Sequence, residues 1–222
     1  MLFVTLLVIS IPFSSAAFCE IFTPLEEVDG NEFGFIFIPG AQIAGEYYGP
    51  LSLKIQSMFP GNVWVGLTEG WFGNFPNPLE IDGAIKDCLG KAADQGLSTA
   101  KVFQAGHSLG GIMLETWARD NADLSMGIIL FGSYLPNGFL GNGDTNVFPV
   151  PVLTAVGSLD GGSLSYVTRE ARESKNPELK GRYPVLVIDK VNHAQVASGE
   201  IPDIVVQNDV PAEVDNEEAF IR

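Results

Sequence analysis

The run Gly106-His107-Ser108-Leu109-Gly110-Gly111 constrains this chain more than any other stretch. It is an instance of Gly-x-Ser-x-Gly. An apolar segment, Lys101 to Ala105, leads into it, and Ile112 to Arg119 leaves it with helical character. A strand, a sharp turn and a helix with serine at the apex force that serine into strained backbone angles. Both flanking positions must then be nearly free of side chain. Gly106 and Gly110 meet that demand. The apex exposes the hydroxyl, and the new helix aims its first amides and its positive dipole end at the same place. One turn can therefore supply a nucleophile and part of an oxyanion hole.

The segments around this turn alternate in kind. Phe33 to Ile38 is continuously apolar, as a strand buried on both faces would be. Further strands are predicted at Asn62–Leu67, Met126–Phe131, Val150–Val156 and Tyr183–Ile188. Helices are predicted at Glu46–Met58, Leu79–Gln95 and Tyr166–Ser174. In the second of these Leu79, Ile81, Ala84, Ile85, Cys88, Leu89 and Ala92 share one face. Alternating strands and helices call for an α/β fold, a mostly parallel, doubly wound sheet with helices on both faces. The 222 residues contain no repeat and no linker, so a single domain over 18–222 is expected. In such sheets sites form where strands end at their carboxyl side.

A serine hydroxyl needs a base. The chain has two histidines. His107 is beside Ser108 in the turn and cannot readily turn back to its hydroxyl; His193 follows the last predicted strand and is the candidate base. The base needs a carboxylate to fix its tautomer. Asp160 ends the Val150–Val156 strand in a glycine-rich turn, and Ser108, Asp160, His193 is the chain order expected of a Gly-x-Ser-x-Gly elbow. Asp189 is the second choice. An oxyanion hole needs two backbone donors. The amide of Leu109 is one candidate; the other is the amide of Ala41, with Gln42 next, in the loop after the Phe33 strand. Trp71, Phe72 and Phe75, with Gln42, are candidate substrate-binding residues, and Leu135 and Phe139 are weaker candidates for an opposite wall.

Taken together, Ile38-Pro39-Gly40-Ala41-Gln42, Gly106 to Gly111, Pro151 to Asp160 and Asn192-His193-Ala194-Gln195 resemble the α/β-hydrolase superfamily over nearly all of the chain. The resemblance is to small, cap-poor members such as dienelactone-hydrolase-like, chlorophyllase-like and cutinase-like esterases. It implies an eight-stranded, mostly parallel sheet and a serine acyl-enzyme mechanism with no metal or organic cofactor. Ser108 would be nucleophile, His193 base then acid, Asp160 its orienter, and Ala41 and Leu109 the oxyanion amides. Three departures are expected. The first strands are missing or reduced, since little more than a hairpin fits before Phe33. The Gly132–Pro149 connection leaves a minimal lid. A closing helix starting near Asp215 is cut at Arg222, as in a fragment. The function implied is a carboxylesterase or lipase-like hydrolase acting on a small-molecule or lipid ester. A catalytically silent binding protein on the same fold and an acyltransferase with the same triad are the alternatives.

The net charge of −15 and a pI near 4.3 argue against nucleic acid or an anionic membrane as partner. The late acidic residues Glu200, Asp203, Asp209, Glu213, Asp215, Glu217 and Glu218 read as solubilising surface. Residues 1–17 have the shape of a secretory signal, an apolar run followed by small residues, although no Lys or Arg precedes Lys54. The run is shorter than the roughly twenty residues a membrane span needs, so secretion without stable membrane insertion is expected. Secretion would permit a Cys19–Cys88 disulfide; Cys88 also suits a buried helix position as a small apolar residue.

Overall fold

The apolar run at Phe33 becomes a strand, β2 (Glu32–Ile38), and both of its faces enter cores. Phe35 and Phe37 pack with Tyr48, Leu51, Val65 and Leu67 on one side of the sheet. Ile36 and Ile38 pack with Trp64, Ile85, Leu114 and Leu130 on the other. Successive side chains of a strand point to opposite faces, so an unbroken apolar run needs cover on both. This computed structural model describes residues 17–26, 31–99, 102–136, 148–165 and 183–215. The helix expected at Tyr166–Ser174, most of the Gly132–Pro149 connection, the residues before Ala17 and those after Asp215 lie outside that set.

Among the described residues seven strands form one sheet. The others are β1 (Phe18–Phe22), β3 (Asn62–Glu69), β4 (Val102–His107), β5 (Ser125–Phe131), β6 (Val152–Gly157) and β7 (Val185–Ile188). Their order is β1-β3-β2-β4-β5-β6-β7; β1 runs antiparallel to β3 and all other pairs are parallel. Helix α1 (Gly49–Met58) covers the Phe37 face through Leu51 and Ile55. Helices α2 (Ile81–Asp94) and α3 (Leu109–Asp120) cover the Ile38 face through Ala84, Ile85, Leu114 and Trp117. A short fourth helix, α4, spans Asp203–Val206.

Differences from expectation have local causes. β6 and β7 begin just after Pro151 and Pro184, which have no N–H to donate to a ladder. Each proline still accepts through its carbonyl, from Ile128 and Thr154 respectively. Leu79 is 95% exposed rather than on the apolar helix face. The Asn77 side chain accepts the amides of Leu79 and Glu80, which delays the helix to Ile81. Cys19 on β1 and Cys88 on α2 are joined in a disulfide across a sequence separation of 69. The sulfurs lie against Gly66, where a Cβ would come within 2.9 Å of each.

The chain steps from β2 outward to β3 and then crosses back to β4 on the far side of β2. Strand order thus reverses between the carboxyl ends of β2 and β4, the place where open parallel sheets offer a crevice.

Candidate active site

The turn from β4 into α3 holds Ser108 at φ 51°, ψ −121°, a conformation L-residues rarely adopt. The neighbours impose it. The Ser108 amide donates to the Phe131 carbonyl at 3.0 Å, and its carbonyl accepts the Ser133 hydroxyl at 2.7 Å. Close packing explains the flanking glycines. A Cβ on Gly106 would sit 2.5 Å from the Gly111 nitrogen, and one on Gly110 would sit 2.4 Å from the Pro39 carbonyl oxygen. Larger residues would push α3 off the end of β2 and release the serine from its strained geometry.

Beyond β6, Asp160 turns back into the protein and is 2% exposed. Its Oδ1 accepts the amides of Gly162 and Ser163 at 2.9 and 2.7 Å. Its Oδ2 lies 2.9 Å from Nδ1 of His193, itself 7% exposed in the segment after β7. Gly132 makes room for the pair: a Cβ there would come within 3.0 Å of His193 Nδ1 and 3.1 Å of Asp160 Oδ2. Gly132 directly follows Phe131, the register partner of His107, so the pair stands one strand over from the serine turn. The Nε2 of His193 is hydrogen-bonded to no described residue. Asp189, the second choice, is exposed and accepts from the Ser158 hydroxyl instead.

In the loop after β2 the amides divide sharply. Gly40 donates to the Tyr48 hydroxyl at 2.9 Å and Gln42 to the Asn74 carbonyl at 2.7 Å. The amide of Ala41 between them donates to no described residue, and neither does that of Leu109. Gln42 is thereby removed as a backbone donor; at φ 59° it is also left-handed and exposed. With Trp71 it lines a cavity of about 220 Å³ that also includes Tyr47, Glu69, Asn74 and Glu200. Burial, then the Glu46 charge, raises the Glu69 carboxyl above the ordinary range. The expected aromatic wall does not form as a unit. Trp71 is buried in the core that holds Ile81 and Trp117, while Phe72 is 68% exposed and, with Phe75, stands away from this cavity. Leu135 is core, and Phe139 lies outside the described residues.

His107 is a structural hub. Its Nε2 lies 2.9 Å from the carbonyl of His193, which can only accept, so Nε2 carries the proton. Its Nδ1, 2.8 Å from the Tyr48 hydroxyl, must then accept from it. That hydroxyl in turn accepts the Gly40 amide. Full burial, then the nearby His193, holds His107 well below the ordinary histidine pKa, so it is neutral. Burial likewise raises Tyr48. One unbroken chain of hydrogen bonds therefore ties the loop after β2, the serine turn and the His193 loop together.

A family model described as the alpha/beta hydrolase family matches residues 34–200, a span holding all these positions. The chain belongs to the alpha/beta hydrolase family. No curated protein sequence matches this hydrolase. Among solved structures it is similar to Est1E from Butyrivibrio proteoclasticus with ferulic acid bound, at 13% identity, 80% and 87% coverage of the two chains, and TM-score 0.55. It is similar to the monoacylglycerol lipase of Paleococcus ferrophilus at 14% identity, 83% and 93% coverage, and TM-score 0.56. A thermophilic esterase from Thermogutta terrifontis follows at 15% identity, 80% and 86% coverage, and TM-score 0.52. At such identities the likeness is one of fold.

In this alpha/beta hydrolase, Ser108, Asp160, His193, Ala41 and Leu109 all fall just beyond the carboxyl ends of parallel strands, His193 beyond the edge strand β7. Two participants escape sequence reasoning. Tyr48 sits inside a predicted helix with nothing to mark it. Asp209 accepts the His193 amide at 2.9 Å and the Gly161 amide at 3.0 Å, yet in the sequence it is one of many late acidic residues. No local signal separates it from the others.

Proposed function

We propose that this alpha/beta hydrolase is a serine ester hydrolase working through an acyl-enzyme. The observation that carries the reading is the buried His193–Asp160 hydrogen bond, set beside a serine held at the apex of the β4–α3 turn. Ser108 Oγ attacks the ester carbonyl while His193 Nε2 takes its proton. Asp160 fixes the proton on Nδ1 and stabilises the imidazolium. The unspent amides of Ala41 and Leu109 hold the oxyanion. His193 then gives its proton to the leaving alcohol. Water attacks the acyl-enzyme, delivering a proton to His193, and the acid departs as Ser108 regains it.

The decisive experiment is hydrolysis of p-nitrophenyl esters from acetate to palmitate by wild type beside Ser108→Ala. A loss of at least about 10³-fold in kcat/KM is expected in the variant. Equal turnover, or equal silence of two folded proteins, refutes the reading. Because one fold neighbour holds ferulic acid, hydroxycinnamoyl esters belong in the same panel. An added alcohol acceptor, with product analysis, separates hydrolysis from acyl transfer.

Secretion is part of the same proposal. The apolar segment at the N-terminus supports it, and so does the Cys19–Cys88 disulfide, since such bonds persist in oxidising compartments. N-terminal sequencing of the protein recovered from culture medium tests it: a mature chain starting near Phe18 is expected, and retention of the full chain inside cells overturns it.

A further inference from the structure

The segment after α4 runs across the two loops that carry Asp160 and His193. The amide of Val210 donates to the Leu159 carbonyl at 3.3 Å, and that of Glu213 to the Lys190 carbonyl at 3.1 Å. The Asn192 side chain reaches the Val210 carbonyl at 3.4 Å, and Gln195 reaches that of Val214. Asn208 approaches so closely that a Cβ on Gly161 would lie 1.7 Å from its carbonyl oxygen. At the centre of this strap is the Asp209 carboxylate. Oδ2 takes the backbone amide of His193, and Oδ1 takes that of Gly161, next to Asp160. One side chain thus spans the acid loop and the base loop.

We propose that Asp209 is a positioning residue that fixes His193 against Asp160 by clamping their two loops together, with residues 207–214 as the strap that delivers it. This rests on the Ser108–His193–Asp160 reading. The physical reason is distance. A hydrogen bond between two loops holds only while both backbones keep their separation, and small misplacement of a catalytic group is costly. A carboxylate accepting two amides is a strong, directional clamp. Burial raises the Asp209 carboxyl, the Gly161 amide and the facing His193 oppose that rise, and the facing Asp160 adds to it.

Asp209→Ala, Asp209→Asn and Gly161→Ala test the idea. The first removes both acceptors, the second keeps one, and the third displaces the strap while leaving the carboxylate in the chain. Two readouts are needed. In ester hydrolysis, Asp209→Ala should lower kcat roughly 10- to 100-fold with KM within about twofold. Asp209→Asn should lie between it and wild type, and Gly161→Ala should follow Asp209→Ala. In proton NMR of the full chain, the downfield Nδ1–H signal of His193, assigned by its disappearance in Asp160→Asn, should exchange with solvent at least about tenfold faster in Asp209→Ala. The NMR arm needs no substrate, so an enzyme silent on every ester refutes the hydrolase reading and still decides the clamp. Unchanged kcat and an unchanged signal in folded Asp209→Ala, or a lowered melting temperature with both unchanged, overturns it.

Discussion

Two imidazoles lie ring to ring at the carboxyl end of this sheet, their centroids 4.8 Å apart, and their surroundings differ in kind. His107 is wholly buried, and both nitrogens are committed to uncharged partners, the Tyr48 hydroxyl and the His193 carbonyl. His193 turns one nitrogen to a carboxylate and leaves the other hydrogen-bonded to no described residue. A group that must gain and lose a proton needs a partner that welcomes the charge and an open nitrogen to receive it. His193 has both. His107 has neither, and its environment forbids the charged form. The same side chain is a strut in one place and a candidate base in the other, and burial combined with partner chemistry makes the difference.

Exchanging the two histidines' fates gives the largest expected effect. His193→Gln should lower kcat/KM for an ester by about 10³-fold or more while leaving the melting temperature nearly unchanged. His107→Phe should do the reverse. It fills the volume but strands the Tyr48 hydroxyl and the His193 carbonyl, at a cost of about 2–4 kcal/mol in urea unfolding, with a smaller loss of activity. If His107→Phe alone abolished turnover in a fully stable protein, the strut would be the wrong description.

The Tyr48 hydroxyl supplies a finer cut. Tyr48→Phe removes the donor to His107 and the acceptor for Gly40 without changing shape, and should cost about 1–3 kcal/mol. It should also loosen the loop that carries Ala41, so kcat should fall several-fold more than KM changes. Unaltered unfolding in this variant would mean that the relay contributes nothing net.

The smallest expected effect is in the pH dependence of stability. His107 in the fold stays neutral well below the ordinary histidine range, whereas the unfolded chain takes up a proton near pH ~6.5. Its stabilising contribution is full above that pH and is lost as pH falls toward the depressed folded value. The difference between wild type and His107→Phe should therefore shrink below about pH 6.5, by at most ~1.4 kcal/mol per pH unit. A gap constant from pH 7.5 to 5 would show that His107 is not held neutral.

Much of this molecule is written locally. The unbroken Phe33–Ile38 run becomes a strand buried on both faces, because a period of two with no polar position leaves no wet side. The Gly106–Gly110 spacing becomes a strained turn, because any Cβ there would meet backbone. The order of Ser108, Asp160 and His193 puts each at or beyond a strand end, since strand ends can be read from where apolar runs stop. Short-range sterics and periodicity settle such features before any distant part of the chain arrives.

Pairings between distant segments are another matter. That Cys19 meets Cys88, that Trp71 turns into the core while Phe72 faces water, and that the Gln42 amide is already spent on Asn74 all depend on where separate elements come to rest. The same holds for Asp209. In the sequence it is one acid in an acidic tail; in the fold its two oxygens take up amides from two loops 32 residues apart. Sequence by itself determined most of the strands, the turn and the order of Ser108, Asp160 and His193 along them, because those follow from neighbours along the chain. Only the tertiary structure decided which histidine is held neutral and which acid holds the loops, because burial and partnership belong to neighbours in space.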